Sequence, residues 1–302
     1  MSTSPGLSAS VRRGYLLALA SAVLAALAYV VGKWTLQFVT PVLMNAFMTT
    51  LAGMLLTLDR FRPARSNREL ASATAWTWVV LFSASSFLAV LLLWSGIQRM
   101  DPSLASFLNR SEVIVSVTLA ILFLGERFNR GELIGALLSI TGIVVMRMTL
   151  RIDYSAGFWL VLGGAVFFGV TEFVAKVAVR HVSVTFLAWT RSLLMATGFW
   201  ILFLLRGETF EGLDVAWPGL VAVTLLAPLF ARLLFLSALR LIPLSRTAVI
   251  SQTQPVLVMA FALLLLGQLP TFREAAGGVF VVAGCVLMIV ARRSVGEDRP
   301  GA

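Results

Sequence analysis

Apolar runs of about 17 to 25 residues recur along the whole of this chain, each long enough to cross a hydrocarbon core of roughly 30 Å as a helix. Backbone polar groups in lipid must be satisfied within their own segment, so runs of this kind form helices. The pattern predicts spans at 13–32, 42–58, 75–97, 103–123, 132–149, 157–176, 184–205, 216–238, 245–266 and 274–291. Composition removes the soluble alternative. Charged residues make up 13% and hydrophobic residues 59% of 302, where a soluble domain carries roughly 25% charged residues. The expected class is an all-α polytopic membrane protein with ten transmembrane helices.

The runs are arranged in two similar halves. Leu-Phe-Leu-Gly-Glu-Arg-Phe-Asn-Arg-Gly-Glu-Leu-Ile-Gly, from Leu122 to Gly135, is matched 142 positions later by the stretch from Leu264 to Gly277. Gly125 falls on Gly267, Glu132 on Glu274, Gly142 on Gly284 and Met146 on Met288. At a shift of 143, Ala22 meets Ala165, Ala26 meets Gly169 and Lys33 meets Lys176. The halves are read as 14–149 and 157–291, with tails at 1–12 and 292–302. Five spans per half is an odd number, so the second copy enters the membrane inverted, an architecture shared by many transporters. The first span imitates a secretory signal, with Ala26-Leu27-Ala28 as a cleavage site. Its internal twin at 157–176 favours a retained helix.

A formal net charge of +10 raises the question of nucleic acid. The basic residues, however, are scattered among the short loops, as the positive-inside rule requires. Arg12, Arg13, Arg60, Arg62, Arg65, Arg68, Arg127, Arg130, Arg180, Arg240 and the tail arginines then face the cytoplasm, with both termini inside the cell membrane. One cysteine, Cys285, and one histidine, His181, exclude disulfides within the chain, His/Cys metal sites and Ser-His-Asp triads. No glycine-rich nucleotide motif occurs, and no cofactor is expected.

Ten spans in two halves, with Leu124-Gly125-Glu126 and Leu266-Gly267-Gln268 ending the fourth and ninth, resemble the EamA-type members of the drug/metabolite transporter superfamily. The likeness extends from about residue 14 to 290. It implies an exporter of amino acids, other small metabolites or toxic organic compounds. Two departures stand out. That family often carries a proline in both the fourth and ninth helices, whereas here Pro255 has Val113 as its counterpart, and Gln268 replaces the second acid.

Polar residues inside spans mark the candidate site, because lipid excludes them unless they face a cavity or a partner. The fourth span carries Asn109, Arg110 and Glu112, and the ninth carries Ser251, Gln252 and Gln254 at equivalent positions. Arg110 and Glu112 lie roughly 10 to 14 Å deep by helical rise, and the two patches approach the midplane from opposite faces. Arg110 suits a carboxylate, and the glutamines offer neutral donors and acceptors. On a continuous helix Arg110 and Glu112, two residues apart, point to different sides. A purely structural role for both charges stands beside the substrate role. Glu172, Arg191 and Arg232 are candidate coupling or gating residues, either as a static Glu172 ion pair with one arginine or as a carboxyl that changes partner. Trp94 and Trp189 are candidate pocket walls, with packing between helices as the alternative. Lys33 and Lys176, the only lysines, are read as snorkelling to the interface. Pro41, Pro102, Pro218 and Pro243 are placed at helix starts, and Pro228 and Pro255 at kinks.

The combined expectation is a secondary transporter, not an enzyme, exporting an amino acid or related carboxylate by alternating access. The alternatives are a lipid flippase or scramblase and an exporter of cationic drugs. The partners are a small-molecule solute and the lipid bilayer, with a proton as candidate coupling ion and no nucleic acid.

Overall fold

Helix α1 (Ala9–Thr35) is followed by α2 (Pro41–Arg60) and α3 (Ala73–Arg99), and then by two short pieces, α4 (Pro102–Asn109) and α5 (Glu112–Leu124). Helix α6 (Arg130–Arg147) closes the first half. The second half runs through α7 (Ser155–Ala178), α8 (Val184–Leu205), α9 (Leu213–Thr224), a π-helical turn at Leu225–Ala231, α10 (Arg232–Leu241) and α11 (Gln254–Leu266). This computed structural model describes residues 9–60, 73–124, 130–147, 155–242, 247, 250–251, 253–267, 272, 275–280, 282–284 and 286–287. Gln252, Pro243 and Cys285 lie outside the described residues.

The chain is an all-helical membrane protein. Among the described residues, six helical stretches are long and apolar enough to cross a bilayer: Arg12–Thr35, Pro41–Leu58, Thr74–Arg99, Ala156–Ala178, Val184–Leu205 and Leu213–Leu241. Shorter apolar helices accompany them. The predicted continuous span 103–123 is instead two helices of 8 and 13 residues, interrupted at Arg110 and Ser111. Pro218 was expected at a helix start but lies inside α9, because that helix begins earlier, at Leu213. Pro228 falls within the π turn, where its missing N–H and bulky ring disturb the regular ladder.

Packing joins the two halves at every level. Helix α2 lies along α8, where the Trp189 indole donates to Thr57 Oγ1 (2.9 Å) and the Trp200 indole to Thr50 Oγ1 (2.8 Å). As one number rises the other falls, so these two helices run antiparallel. Helix α3 packs on α7, and α1 packs on the stretch from α9 to α10. These contacts recur with the halves exchanged. A Cβ on Gly14 of α1 would meet Leu241 Cβ at 3.1 Å, and one on Gly157 of α7 would meet Arg99 Cβ at 3.3 Å. Ser21 of α1 donates to the Ala231 carbonyl (2.8 Å), and a Cβ on Gly164 of α7 would lie 3.1 Å from the Ala89 carbonyl oxygen.

The lysines do more than reach for the interface. Lys33 donates to the carbonyls of Ile97 (2.8 Å), Gln98 (3.0 Å) and Met100 (3.0 Å), acceptors at the C-terminal end of α3. Lys176 donates in the same way to the Leu239 carbonyl near the end of α10 (3.2 Å). The snorkelling reading therefore gives way to helix capping, which a cation at a C-terminus favours.

Candidate functional site

The break in the fourth span has a local cause. Arg110, Ser111, Val113 and Ile114 all donate three residues back, to Phe107, Leu108, Arg110 and Ser111, in place of regular four-residue bonds. The hydroxyls of Ser106 and Ser111 bond the Ser103 and Leu108 carbonyls (2.6 and 2.8 Å), competing with the backbone ladder. No proline is needed. The ninth span uses one: Pro255 has no N–H to offer the Ser251 carbonyl four residues back. That carbonyl instead accepts Arg110 Nη1 at 3.2 Å. The two interruptions, at equivalent positions of the halves, are thereby stitched together.

The interruption also changes what Arg110 and Glu112 can do. They were expected on opposite sides of one helix, but the turn between them lets Arg110 Nη2 reach Glu112 Oε1 at 3.1 Å. Asn109 Nδ2 donates to the other carboxylate oxygen at 3.0 Å. Tyr29 of α1 places its phenol beside the same guanidinium. All four residues are buried. Gly169 of α7 allows this close approach, since a Cβ there would sit 2.6 Å from the Glu112 carbonyl oxygen.

Around this cluster lies a cavity of about 150 Å³, comparable to one that accommodates benzene. Its walls come from both halves: Ser21 and Tyr29 of α1, Asn45 and Thr49 of α2, Trp94 of α3, the fourth-span cluster, Glu172 of α7, Arg191 of α8, Arg232 of α10, Ser251 and Gln254. Trp94 stands 6.1 Å from the Tyr29 ring, lying across Gly32, where a Cβ would leave no room for the indole. The π turn contributes Ala227, Pro228 and Ala231 to the wall, immediately before Arg232.

Of the predicted site residues, Asn109, Arg110, Glu112, Gln254, Trp94, Glu172, Arg191 and Arg232 meet at this one cavity. Trp189 does not line it; its indole ties α8 to Thr57 of α2. The expected ion pair of Glu172 with Arg191 or Arg232 is not formed. The two guanidinium carbons instead lie 5.8 and 5.9 Å from the centre of the Phe82 ring, within cation–π range. Arg232 also lies 5.8 Å from the Phe235 ring. Asn45, Tyr29 and Phe82 were not singled out from the sequence. Asn45 could have been found as a lone amide in an apolar run, whereas Tyr29 and Phe82 carry no such signal among so many aromatics.

Comparison with known proteins agrees with this architecture. A crystal structure superposes with a TM-score of 0.67 at 18% identity, covering 95% of this chain and 98% of that one, a likeness of fold. An uncharacterized transporter of Synechocystis sp. is 22% identical over 84% of this chain and 77% of its own length. A protein of Streptantibioticus cattleyicolor, named "probable terminal-alkyne amino-acid exporter", is 30% identical over 70% of each chain. The model of the EamA-like transporter family matches twice, at residues 12–148 and 155–290. Taken with the helical membrane fold, those two matches across most of the sequence mean that the chain belongs to the EamA-like transporter family, within the drug/metabolite transporter superfamily.

Proposed function

We propose that this protein is a secondary exporter that carries a small carboxylate-bearing solute, with amino acids as the leading class, through the cavity at the paired helix breaks. The observation that carries the reading is the cavity itself: a small, largely apolar space between the halves with a few charged and amide side chains in its wall, formed where two equivalent helices are interrupted and joined by Arg110 and the Ser251 carbonyl. Discontinuous helices of this kind hold the substrates of inverted-repeat transporters near the midplane. The volume favours an amino-acid-sized solute over a large drug. Three arginines against two glutamates at the walls disfavour a simple cation. The name of the S. cattleyicolor relative points to the same substrate class.

The architecture in this reading is ten spans in two inverted halves, 14–149 and 157–291. In it α4 and α5 together count as one span and α6 as another, while the spans at 245–266 and 274–291 are those predicted from the apolar runs of the sequence. The antiparallel packing of α2 on α8, the second helices of the two halves, supports inversion. A two-fold axis along the membrane normal would make equivalent helices parallel, whereas an axis in the membrane plane makes them antiparallel. Both termini are cytoplasmic, on the arginine bias of the loops. Glu112 and Glu172 are the carboxyl groups at the cavity, and a proton is the proposed coupling ion.

The test is counterflow in proteoliposomes loaded with each of the common amino acids and a set of organic cations. Accumulation of labelled amino acid against matching internal solute is the expected result. Accumulation of organic cations alone, or movement of labelled lipid without any solute, would overturn the assignment.

A further inference from the structure

Arg110 is the arginine that sequence alone would choose for a carboxylate, yet both its terminal nitrogens, though not its Nε, are already engaged by Glu112 and the Ser251 carbonyl. Arg191 has no such engagement of its terminal nitrogens. It is 97% buried, its side chain lines the cavity, and its Nε and Nη1 have no hydrogen-bond partner among the described residues. No acidic group forms an ion pair with it among those residues. The charge that bears on it is Arg232, a second cation near the same Phe82 ring.

A buried guanidinium with idle donors is costly to keep unless something else completes it. Phe82 offers its face to the cation but cannot accept the in-plane N–H groups. The two idle donors lie on different edges of the guanidinium, and either edge, Nε with Nη2 or Nη1 with Nη2, matches a planar oxyanion able to take two parallel hydrogen bonds. Acceptors without donors are present on other walls of the same cavity. Asn45 Oδ1 and Asn109 Oδ1 have no partner among the described residues, and Glu172 forms no ion pair there. Together they provide a cation-seeking side opposite in chemistry to Arg191.

We infer that Arg191 is the substrate's carboxylate anchor, with Arg110 held back as a structural strut between the two helix breaks. The inference rests on the transport reading above and deepens it. The solute needs a free carboxylate, and an ammonium group on the same molecule finds acceptors at Asn45, Asn109 and Glu172. Arg191 serves here as a ligand group, so its removal should improve folding while destroying binding.

The experiment uses the purified full chain in detergent. Melting temperature is followed with L-leucine, L-phenylalanine and benzoate, each beside its amide, for wild type, Arg191→Met and Arg191→Lys. The expected result is stabilisation of wild type by at least one carboxylate and by none of the amides. The lysine variant should bind at least about tenfold more weakly, having lost the paired donors, and the methionine variant should show no shift. Without ligand, Arg191→Met should melt at or above the wild-type temperature, the opposite of what loss of a structural charge produces. If amides stabilise as well as acids, if no probe stabilises wild type, or if Arg191→Lys binds the acids as wild type does, the anchor assignment fails. Should Arg191→Met fail to fold, the role is structural and the assignment also fails. Carboxylate-specific stabilisation that depends on Arg191, without counterflow of any amino acid, would preserve the anchor and overturn the amino-acid export reading.

Discussion

At the scale of single residues, the site separates charges that hold the protein together from charges left over. Arg110 and Glu112 belong to the first kind. Glu112→Gln leaves a buried guanidinium without its carboxylate and should destabilise by about 3–5 kcal/mol. Thermal unfolding of the purified variant checks this, and the Arg110→Gln/Glu112→Gln double should recover much of the loss. Glu172→Gln breaks no ion pair among the described residues. It should melt close to wild type while counterflow falls. The sequence located these charges but misjudged their partners. Helical spacing separates positions 110 and 112, and nothing in the residue pattern shows that the backbone turns between them. The affinity of both Arg191 and Arg232 for Phe82 was equally hidden, because it depends on the meeting of α3, α8 and α10.

Among elements, the two interrupted helices differ in how openly they declare themselves. Pro255 announces the ninth-span break in the sequence, while the fourth-span break rests on serine hydroxyls and a run of three-residue backbone bonds. A hydrophobic run reads as continuous through such a two-residue turn, so the span 103–123 seemed whole. The ends were more legible: Gly267, with φ of 65°, terminates α11 in a left-handed conformation that glycine adopts freely. Pro255→Ala restores an N–H that competes with Arg110 for the Ser251 carbonyl. We expect a gain of about 1 kcal/mol in stability and slower transport, measured by denaturation and by counterflow. Gly169→Val drives a side chain against the Glu112 carbonyl oxygen and should cost about 1–3 kcal/mol through overpacking.

For the whole molecule, class was the easiest feature to read, because lipid leaves a chain of apolar runs few solutions other than helices. The doubled Leu-Gly motif then gave the halves, although the way they interlock needed the structure. Orientation remains a matter of loop charge, and it is open to labelling. In a Cys285→Ser background, single cysteines placed near Arg60 to Arg68 should react only from the cytoplasmic side, and reaction from outside intact cells would reverse the proposed topology. Lys33→Met and Lys176→Met should each loosen one helix end, at α3 and α10 respectively, seen as faster amide exchange in those last turns.

The exchanged contacts at Gly14 and Gly157 carry a mechanical consequence. Each glycine lets the first helix of its own half lie close to the third of the other, and the two seams lie at different ends of the bundle. A methyl group at Gly157 presses on Arg99, and one at Gly14 presses on Ile242 and Leu241. Neither glycine lines the cavity, so on the proposed alternating-access reading each wedge would act on the balance between the two openings. Gly157→Ala and Gly14→Ala should therefore tilt that balance in opposite senses, one holding the cavity accessible from the first side and one from the second. Combined in one chain they should largely cancel, so that the double variant exchanges between openings more nearly as wild type does.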